Sequence, residues 1–367
     1  MSPYKYELAT IDDEPRLRRI LRDTEMPGHI ALSLQREPDF FSALRVDGHF
    51  NQVVVARESA TREIAVLGLR SVRRVFFDGE PADIGHIGGL RMVPGQRGGT
   101  LLARGYAFFR ELHKDGRAPF YTTAIMSGNA HALRTITSGR CGLPAYVPAG
   151  ENITAVIPAG PAAKAAAAGF EITRGTGETM PEILSFLRRE GARRQFFPCL
   201  EAGDFASGAL KGLTPFDFYV AWKDGRIAGS VAAWDQGASR QVVVAGYGAA
   251  VGAARPFYNA FARLSGYPRL PEPGSRLNFR CASFIAIAGD EPPVLAALLG
   301  RIARDCVAEG RNLLLAGFHS GDPLLGVLGG FRHLRITSRA FLVAFEGADG
   351  LAARAGGRPH YFDIGIS

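Results

Sequence analysis

Cysteine, tryptophan and long apolar runs are scarce in this chain of 367 residues, which has four cysteines and two tryptophans. Cys141, Cys199, Cys281 and Cys306 form no CxxC pair and have no histidine at metal-ligand spacing. This spacing argues against a disulfide framework and against a zinc site. No apolar run reaches the ~20 residues that cross a bilayer, and no basic start followed by an apolar stretch indicates a signal peptide. We therefore expect no metal, no membrane association and a cytoplasmic location.

Positive charge and small residues are abundant instead. The formal net charge is +8, but the basic residues are dispersed as pairs, such as Arg73-Arg74, and form no tract. With no aromatic-interleaved RNA motif either, we expect no nucleic-acid partner. The excess charge would suit a small polyanionic ligand. The rich use of Ala, Gly and Arg is typical of a GC-rich bacterial genome.

The most informative pattern is a strand followed by a Gly-rich turn and a helix. The segment LRMVPGQRGGT, residues 90–100, ends an apolar strand, and LLARGYAFFRELH then has a helical pattern. Such a turn presents N–H groups and the positive end of the helix dipole to an anion. It lacks the GK[ST] ending of a P-loop, and it lacks GxGxxG. We predict a phosphate-binding turn, with a tight turn that binds nothing as the alternative; its residues would be Gln96, Arg97, Gly98, Gly99 and Thr100.

The order of elements resembles the GNAT superfamily of acyl-CoA-dependent N-acyltransferases. Members carry a strand, then an Arg/Gln-x-x-Gly-x-Gly/Ala turn, then a helix. Gln96 and Gly99 fit the first and fourth positions, whereas Leu101 stands where the family prefers a small residue. Downstream, PFYTTAIMSGN reads as a strand ending at Asn129, and NAHALRTI as the helix that follows it.

This resemblance implies that the N-terminal half binds acetyl-CoA as its acyl donor and needs no metal. Backbone groups around Leu90 and Met92 would pair with the pantetheine arm, and the phosphates would lie on the turn. Asn129 would either bind the pantetheine or cap the helix that it begins. The acceptor would be a primary amine of a small molecule or a peptide.

The mechanism of the family requires a base that leaves the amine neutral. Asp83 and His86 lie on the approach to the Leu90 strand, where a carboxylate often serves in this family, and His86 has a suitable intrinsic pKa. The alternatives are a structural, hydrogen-bonded histidine and a turn residue beside Pro81.

An acid is also needed to protonate the departing thiolate. Many members have a tyrosine early in the helix after Asn129, but the equivalent position here falls near Thr135 or Ile136. Tyr146 is the residue that we select in its place, with Ser138 and Cys141 as alternatives. Cys141 is more simply interpreted as a structural thiol, because no activating Asp/His pair can be recognised in the sequence.

Two similar series of elements divide the chain. A Pro-, Gly- and Ala-rich linker at residues 159–169 separates residues 1–158 from residues 170–367. In the second part, a helix, a hairpin with an Asp-Gly turn, a long apolar strand, a helix and two more strands repeat the earlier order. We predict an α/β (α+β) fold of two tandem GNAT-like domains, each a mixed central sheet flanked by helices.

The second copy is expected to be degenerate. In place of QRGGT it has AGDEPPV, residues 288–294, where two acids would repel a pyrophosphate and prolines remove backbone donors. It would shape the acceptor pocket or stabilise the first domain. The tail HYFDIGIS, residues 360–367, is expected either to add a strand to a sheet edge or to fray.

The sequence thus predicts a GNAT-type N-acetyltransferase (EC 2.3.1), which moves an acetyl or slightly longer acyl group from acetyl-CoA to a primary amine. The alternative is a non-catalytic acyl-CoA-binding sensor or scaffold, which release of CoA with a panel of amines would distinguish. The sequence leaves a monomer and a homodimer equally open.

Overall fold

Fourteen strands are found in the part of the chain that the computed structural model describes, residues 3–26, 28–93, 95, 100–139, 142–160, 169–265 and 267–366. The segment IAVLGLRSVRRVFF is buried along most of its length, as expected of a central strand. The strands are β1 (Tyr4–Leu8), β2 (Ile30–Gln35), β3 (Phe50–Glu58), β4 (Ile64–Phe77), β5 (Glu80–Met92), β6 (Tyr121–Met126), β7 (Ala145–Pro158), β8 (Glu171–Arg174), β9 (Phe218–Lys223), β10 (Arg226–Trp234), β11 (Gln241–Tyr247), β12 (Phe279–Ile287), β13 (Leu313–His319) and β14 (Leu334–Ala344).

The helices pack through apolar stripes. In the first, Leu17, Ile20 and Leu21 are buried at helical spacing, which is the pattern of a surface helix against a core. None of the described helices is both long and apolar enough to cross a membrane. The α-helices are α1 (Glu14–Asp23), α2 (Phe40–Ala43), α3 (Leu101–His113), α4 (Ala130–Ile136), α5 (Met180–Gly191), α6 (Asp204–Ser207), α7 (Ala249–Ser265), α8 (Pro292–Ala308) and α9 (Leu351–Ala355).

Twelve strands form one mixed sheet in the order β1-β3-β4-β5-β6-β14-β7-β13-β12-β10-β9-β8. Within it, β5 and β6 are parallel, as are β12 and β13. The order is the same when it is followed from either end, since β1 corresponds to β8, β3 to β9, β4 to β10, β5 to β12, and β6 to β13. The prediction of a mixed sheet flanked by helices is confirmed, and the element order repeats as expected of a duplication.

The last strand of each half lies in the other half. β14 pairs with β6, with Ser338 opposite Met126, and its other edge pairs with β7. β7 in turn pairs with β13, with Ile157 opposite Leu314. The division at residues 158 and 170 stays a prediction, and residues 161–168 of the linker lie outside the described part.

Two segments depart from the expected arrangement. β11 does not join the large sheet but pairs with β2 in a separate two-stranded sheet, with Val242 opposite Leu34. The tail forms no edge strand over residues 360–366. A single parallel bridge joins Gln195 to His360, and the residues beyond it enter the second half.

The exchange of strands predicts that neither half folds alone. A fragment of residues 1–160 would leave β6 and β7 with open edges, and unpaired strand edges favour aggregation. We expect this fragment to show no cooperative melting transition by circular dichroism. Mixing it with a fragment of residues 161–367 should restore one transition.

The full chain is the control for this experiment. A fragment of residues 1–160 that melts cooperatively by itself, near the melting temperature of the full chain, would contradict the prediction.

Candidate functional site

The parallel strands β5 and β6 separate after two recorded pairs, Gly85 with Tyr121 and His86 with Thr122. Both strands continue beyond this point without pairing to each other. An unpaired strand edge inside a protein offers N–H and C=O groups to an extended ligand. The gap between these strands is therefore a candidate cleft for such a ligand.

A β-bulge lies on β5 at the open part of this cleft. The pairs Leu69 with Gly88 and Leu67 with Arg91 leave β5 with one extra residue. Gly89 has a φ of 62°, and a Cβ there would lie 2.6 Å from the Leu69 Cδ1 atom. The positive φ and this close contact both favour glycine at this position. Bulges release peptide groups from the ladder and are frequent beside active sites.

A cavity of about 1740 Å³ passes through the cleft and extends to the second half. On one side it is lined by α3 and α4, including Tyr106 and Ile136. On the other side it is lined by one face of β4 and β5, where Ser71 lies opposite His86 and Arg73 lies opposite Ile84. The cleft thus joins two compartments, one on each face of the sheet.

Of the predicted cofactor residues that the structure describes, three line this cavity and Thr100 does not. Leu90 and Met92 line it and are 39% and 40% exposed. Asn129 also lines it and caps α4, because its Oδ1 atom accepts from the Ala132 N–H at 3.0 Å. Thr100 directly precedes α3 and its side chain makes no cap bond. The other residues of the predicted phosphate turn lie outside the described residues: Gln96, Arg97, Gly98 and Gly99.

His86 lies where the two strands separate. Its Nδ1 atom is 3.1 Å from the Thr122 Oγ1 atom, and that hydroxyl donates to the Gly85 oxygen at 3.3 Å. Nδ1 therefore carries the proton, and Nε2 is the acceptor. Burial, and then the charge of Arg73, lower the pKa of His86 to about 3. A ring with this pKa accepts a hydrogen bond but does not hold a proton at neutral pH.

The other two candidate catalytic residues lie in different surroundings. Asp83 is absent from the cavity lining and lies 3.8 Å from Arg74, which is largely exposed. Tyr146 lines the cavity, and its hydroxyl is hydrogen-bonded to that of Tyr106. Burial raises the pKa of Tyr146 well above its usual range, so its hydroxyl stays protonated. The structure thus brings His86 and Tyr146 to one cavity and leaves Asp83 outside it.

The second half repeats the bulge at the matching position. The pairs Ala232 with Ser283 and Ser230 with Ala286 leave β12 with one extra residue. Phe284 has a φ of 53°, as Gly89 does in the first half. A shared left-handed residue at the same register supports the correspondence of β5 with β12.

The tail of the chain fills the cleft of the second half. The Phe284 N–H donates to the Asp363 carboxylate at 2.7 Å, and the Ile285 N–H donates to the Tyr361 hydroxyl at 2.8 Å. A Cβ on Gly317 of β13 would lie 2.7 Å from the Phe362 oxygen, so the tail backbone runs directly against that strand. The amides that correspond to those of Gly89 and Leu90 in the first half are bonded here by the chain itself.

Comparison with solved structures identifies the fold. The N-myristoyltransferase of Saccharomyces cerevisiae, solved with myristoyl-CoA, has a TM-score of 0.60 and 10% identity, over 94% of this chain and 83% of that chain. A GCN5-related N-acetyltransferase from Sphaerobacter thermophilus has a TM-score of 0.58 and 13% identity, over 100% and 99%. The chain has a GNAT fold.

Comparison of the sequence itself finds no match. No protein-family model matches the chain, and no curated protein matches it. The third structure that we compare, a glucosamine N-acetyltransferase region of a fungal multi-domain β-N-acetylglucosaminidase, has a TM-score of 0.61 and 11% identity, over 93% of this chain and 38% of that chain. The predicted resemblance to GNAT proteins is thus confirmed at the level of the fold.

The acids expected to repel CoA from the second half of this GNAT fold are partly neutralised. The Asp290 carboxylate pairs with Arg194 at 2.5 Å and with Arg193 at 3.4 Å. The first of these arginines also pairs with the buried Asp322 at 3.1 Å. Charge repulsion is therefore a weaker obstacle here than the tail that fills the cleft.

Charged groups opposite α3 and α4 were not recognised as site residues in the sequence. Arg73, noted there only as part of a dispersed basic pair, lines the cavity, whereas Arg74 points outward. Asp47 is buried beside it and pairs with Arg36 and Arg240. Burial alone would raise the pKa of Asp47, but these arginines lower it overall. The one feature of the sequence that could have identified Arg73 is a charged residue within an otherwise apolar strand.

Metal ligands are a separate question. The described residues contain no group of three or more His, Cys, Asp or Glu side chains that could hold a metal ion.

The lowered pKa of His86 predicts a pH-dependent stability. The folded state keeps the ring neutral, while the unfolded ring binds a proton below about pH 6.5, so the folded state loses stability as the pH falls. Between pH 7 and pH 5 we expect His86 to contribute a loss of up to about 2 kcal/mol in the free energy of unfolding. Urea unfolding at both pH values, for the wild type and for His86→Gln, measures it.

The wild-type chain should lose more stability than the variant between these two pH values. An equal loss in both proteins would show that His86 titrates normally in the folded state.

Proposed function

We propose that the chain is an N-acyltransferase that moves an acyl group from acyl-CoA to a primary amine, with the donor bound in the first half. The observation that carries this proposal is the contrast between two matched clefts. The cleft at Gly89 is open to a cavity, whereas the cleft at Phe284 is closed by Asp363 and Tyr361. The GNAT fold supports it, because acyltransferases share this fold.

Acetyl-CoA is the donor that we propose. Its pantetheine arm would lie along β5 at Leu90 and Met92, where β6 leaves the strand edge unpaired. Asn129 would contribute its free amide group, since its oxygen is used by the helix cap. The phosphates would lie at the turn that includes Gln96, Arg97, Gly98, Gly99 and Thr100, a prediction from the sequence. The cavity volume of about 1740 Å³ leaves room for longer acyl groups.

The amine would approach from the face of the sheet that carries His86. It must be neutral to attack the thioester carbon, and nearby positive charge lowers the pKa of an ammonium group. Arg73, Arg36 and Arg240 supply that charge. His86 would accept a hydrogen bond from the amine through Nε2 and orient its lone pair, while the proton leaves through water. This role replaces that of a general base.

The remaining steps use the bulge and Tyr146. Attack of the amine nitrogen gives a tetrahedral intermediate whose oxyanion needs N–H donors, and the peptide groups at Gly89 and Leu90 lie outside the regular ladder. The C–S bond then breaks and releases the CoA thiolate. Tyr146, which stays protonated, would donate a hydrogen bond to this thiolate and stabilise its developing charge, and the thiolate then takes up a proton from water.

Titration with acetyl-CoA tests the donor site. We expect calorimetry to give one equivalent bound per chain, and we expect Gly99→Glu to abolish binding, because a carboxylate would repel the phosphates. The matched control is Gly177→Glu, since Gly177 is exposed, has open space around its Cα and lies in the second half.

Each outcome of the titration has a distinct meaning. Two equivalents would show that the tail does not close the second cleft, and no binding would refute the proposed activity. Binding without release of CoA in the presence of amines would favour the non-catalytic sensor or scaffold.

Replacement of Tyr146 tests the proposed hydrogen bond to the thiolate. Tyr146→Phe keeps the ring but removes the hydrogen-bond donor, and the loss of one donor to a developing anion costs about 10²–10³-fold in kcat. We expect kcat to fall roughly tenfold or more, with little change in the KM for acetyl-CoA, in an assay of CoA release. Tyr106→Phe is the control, since it removes the hydrogen-bond partner and keeps the donor. A larger loss in the control than in Tyr146→Phe would assign the role to Tyr106.

A further inference from the structure

The cavity is lined by many more cations than anions. Among the described residues that line it are eight arginines and two aspartates, with no glutamate and no lysine. An apolar cavity that is lined by more arginines than acidic residues has a positive potential and attracts anions. The predicted phosphate turn directly precedes α3 in the sequence, so it does not account for the charge on the face of the sheet opposite α3.

Arg73 is a cation on that side that lies beside His86 and has no carboxylate partner among the described residues. Its Nε atom donates to the main-chain oxygen of Asp47 at 3.0 Å, and no carboxylate of the described chain lies within ion-pair distance of its terminal nitrogens. The Asp47 carboxylate is shared by Arg36 and Arg240. These four side chains carry a net charge of +2, and an ionised Asp363 nearby would still leave +1.

The position of Arg73 places this charge on the acceptor side. Along β4, Arg73 follows Ser71 on the same face, opposite Ile84, and Ser71 lies opposite His86. Arg70 points to the other face, where Asp115 binds it at 2.7 Å and 2.8 Å. Burial lowers the pKa of Arg73 to about 10, so the guanidinium stays charged at neutral pH.

We infer that Arg73 binds a carboxylate of the acceptor, and that the acceptor is therefore an amino carboxylate with a spacer between its two groups. This inference rests on the proposed function. A guanidinium pairs with a carboxylate through two parallel hydrogen bonds. Ile84, opposite Arg73, lies five residues before Gly89, which is about 16 Å of strand. After allowance for the length of the arginine side chain, several bonds must separate the amine from the carboxylate.

A series of ω-amino carboxylates tests this inference. Glycine, β-alanine, 4-aminobutyrate and 6-aminohexanoate would be compared with n-alkylamines of matched length, by CoA release from acetyl-CoA. We expect an optimum among the longer members and a kcat/KM at least about tenfold above that of the matched alkylamine, the effect of one charge-assisted bidentate pair. The comparison needs only the wild-type protein.

Variants then assign the preference to one side chain. Arg73→Gln should abolish the preference for the carboxylate, and Arg73→Lys should retain part of it, because lysine keeps the charge but loses the bidentate geometry. Arg74→Gln is the matched control: it is the next residue on the same strand, points outward and is largely exposed. It should leave the preference unchanged.

The outcomes separate this inference from the proposed function. Alkylamines that react as well as their carboxylate partners would overturn the inference and leave the acyltransferase proposal intact. A preference that survives in Arg73→Gln would overturn it as well, as would an Arg73-dependent preference for succinyl-CoA over butyryl-CoA, which would place the carboxylate on the donor.

Binding of products covers the case in which no amine reacts. In calorimetry, N-acetyl-6-aminohexanoate should bind about tenfold more tightly than the analogue whose carboxylate is replaced by a neutral carboxamide. Arg73→Gln should remove this difference in affinity. Equal binding of the two in the wild type would refute the inference independently of catalysis.

Discussion

The fold depends on strands of each half pairing with strand edges that the other half leaves uncovered. Each half has a parallel pair whose second strand, β6 or β13, presents an edge that the half itself does not cover. β14 covers the first and β7 covers the second, and these two strands also pair with each other. Backbone N–H and C=O groups that are buried must be paired, so the two halves are held together by main-chain bonds and not only by side-chain contacts.

The same constraint acts differently on the two clefts. Where parallel strands separate, backbone groups at the bulge lose their partners in the ladder. In the second half the side chains of Tyr361 and Asp363 accept hydrogen bonds from these groups, so the groups are paired within the chain. In the first half Gly89 and Leu90 face a cavity instead. The two matched halves thus contain one cleft that is open to a cavity and one whose backbone groups are bonded within the chain.

Charge then distinguishes the two sides of the open cleft. Apolar walls keep the effective dielectric low, so a single uncompensated guanidinium acts over a longer range than it would in water. Burial and then the charge of Arg73 lower the pKa of His86, and by the same electrostatics Arg73 would favour a neutral amine nearby. Arg73 would therefore both bind an anion and favour the neutral form of the attacking amine.

Local pattern determined the elements of this protein, while long-range pairing determined their partners. The helix at Leu101–His113 could be predicted to the residue, because apolar periodicity acts within a few turns. The exchange of β7 with β14, the pairing of β11 with β2 and the course of the tail could not, because each depends on segments far apart in the chain. Of the candidate residues that the sequence suggested, the cavity is lined by Leu90, Met92, His86, Asn129 and Tyr146. Only the tertiary structure showed that Asp83 lies outside the cavity and Arg73 lies inside it. The sequence pattern indicates which strand residues share a face, but the elements that pack against each face are set by contacts between distant parts of the chain.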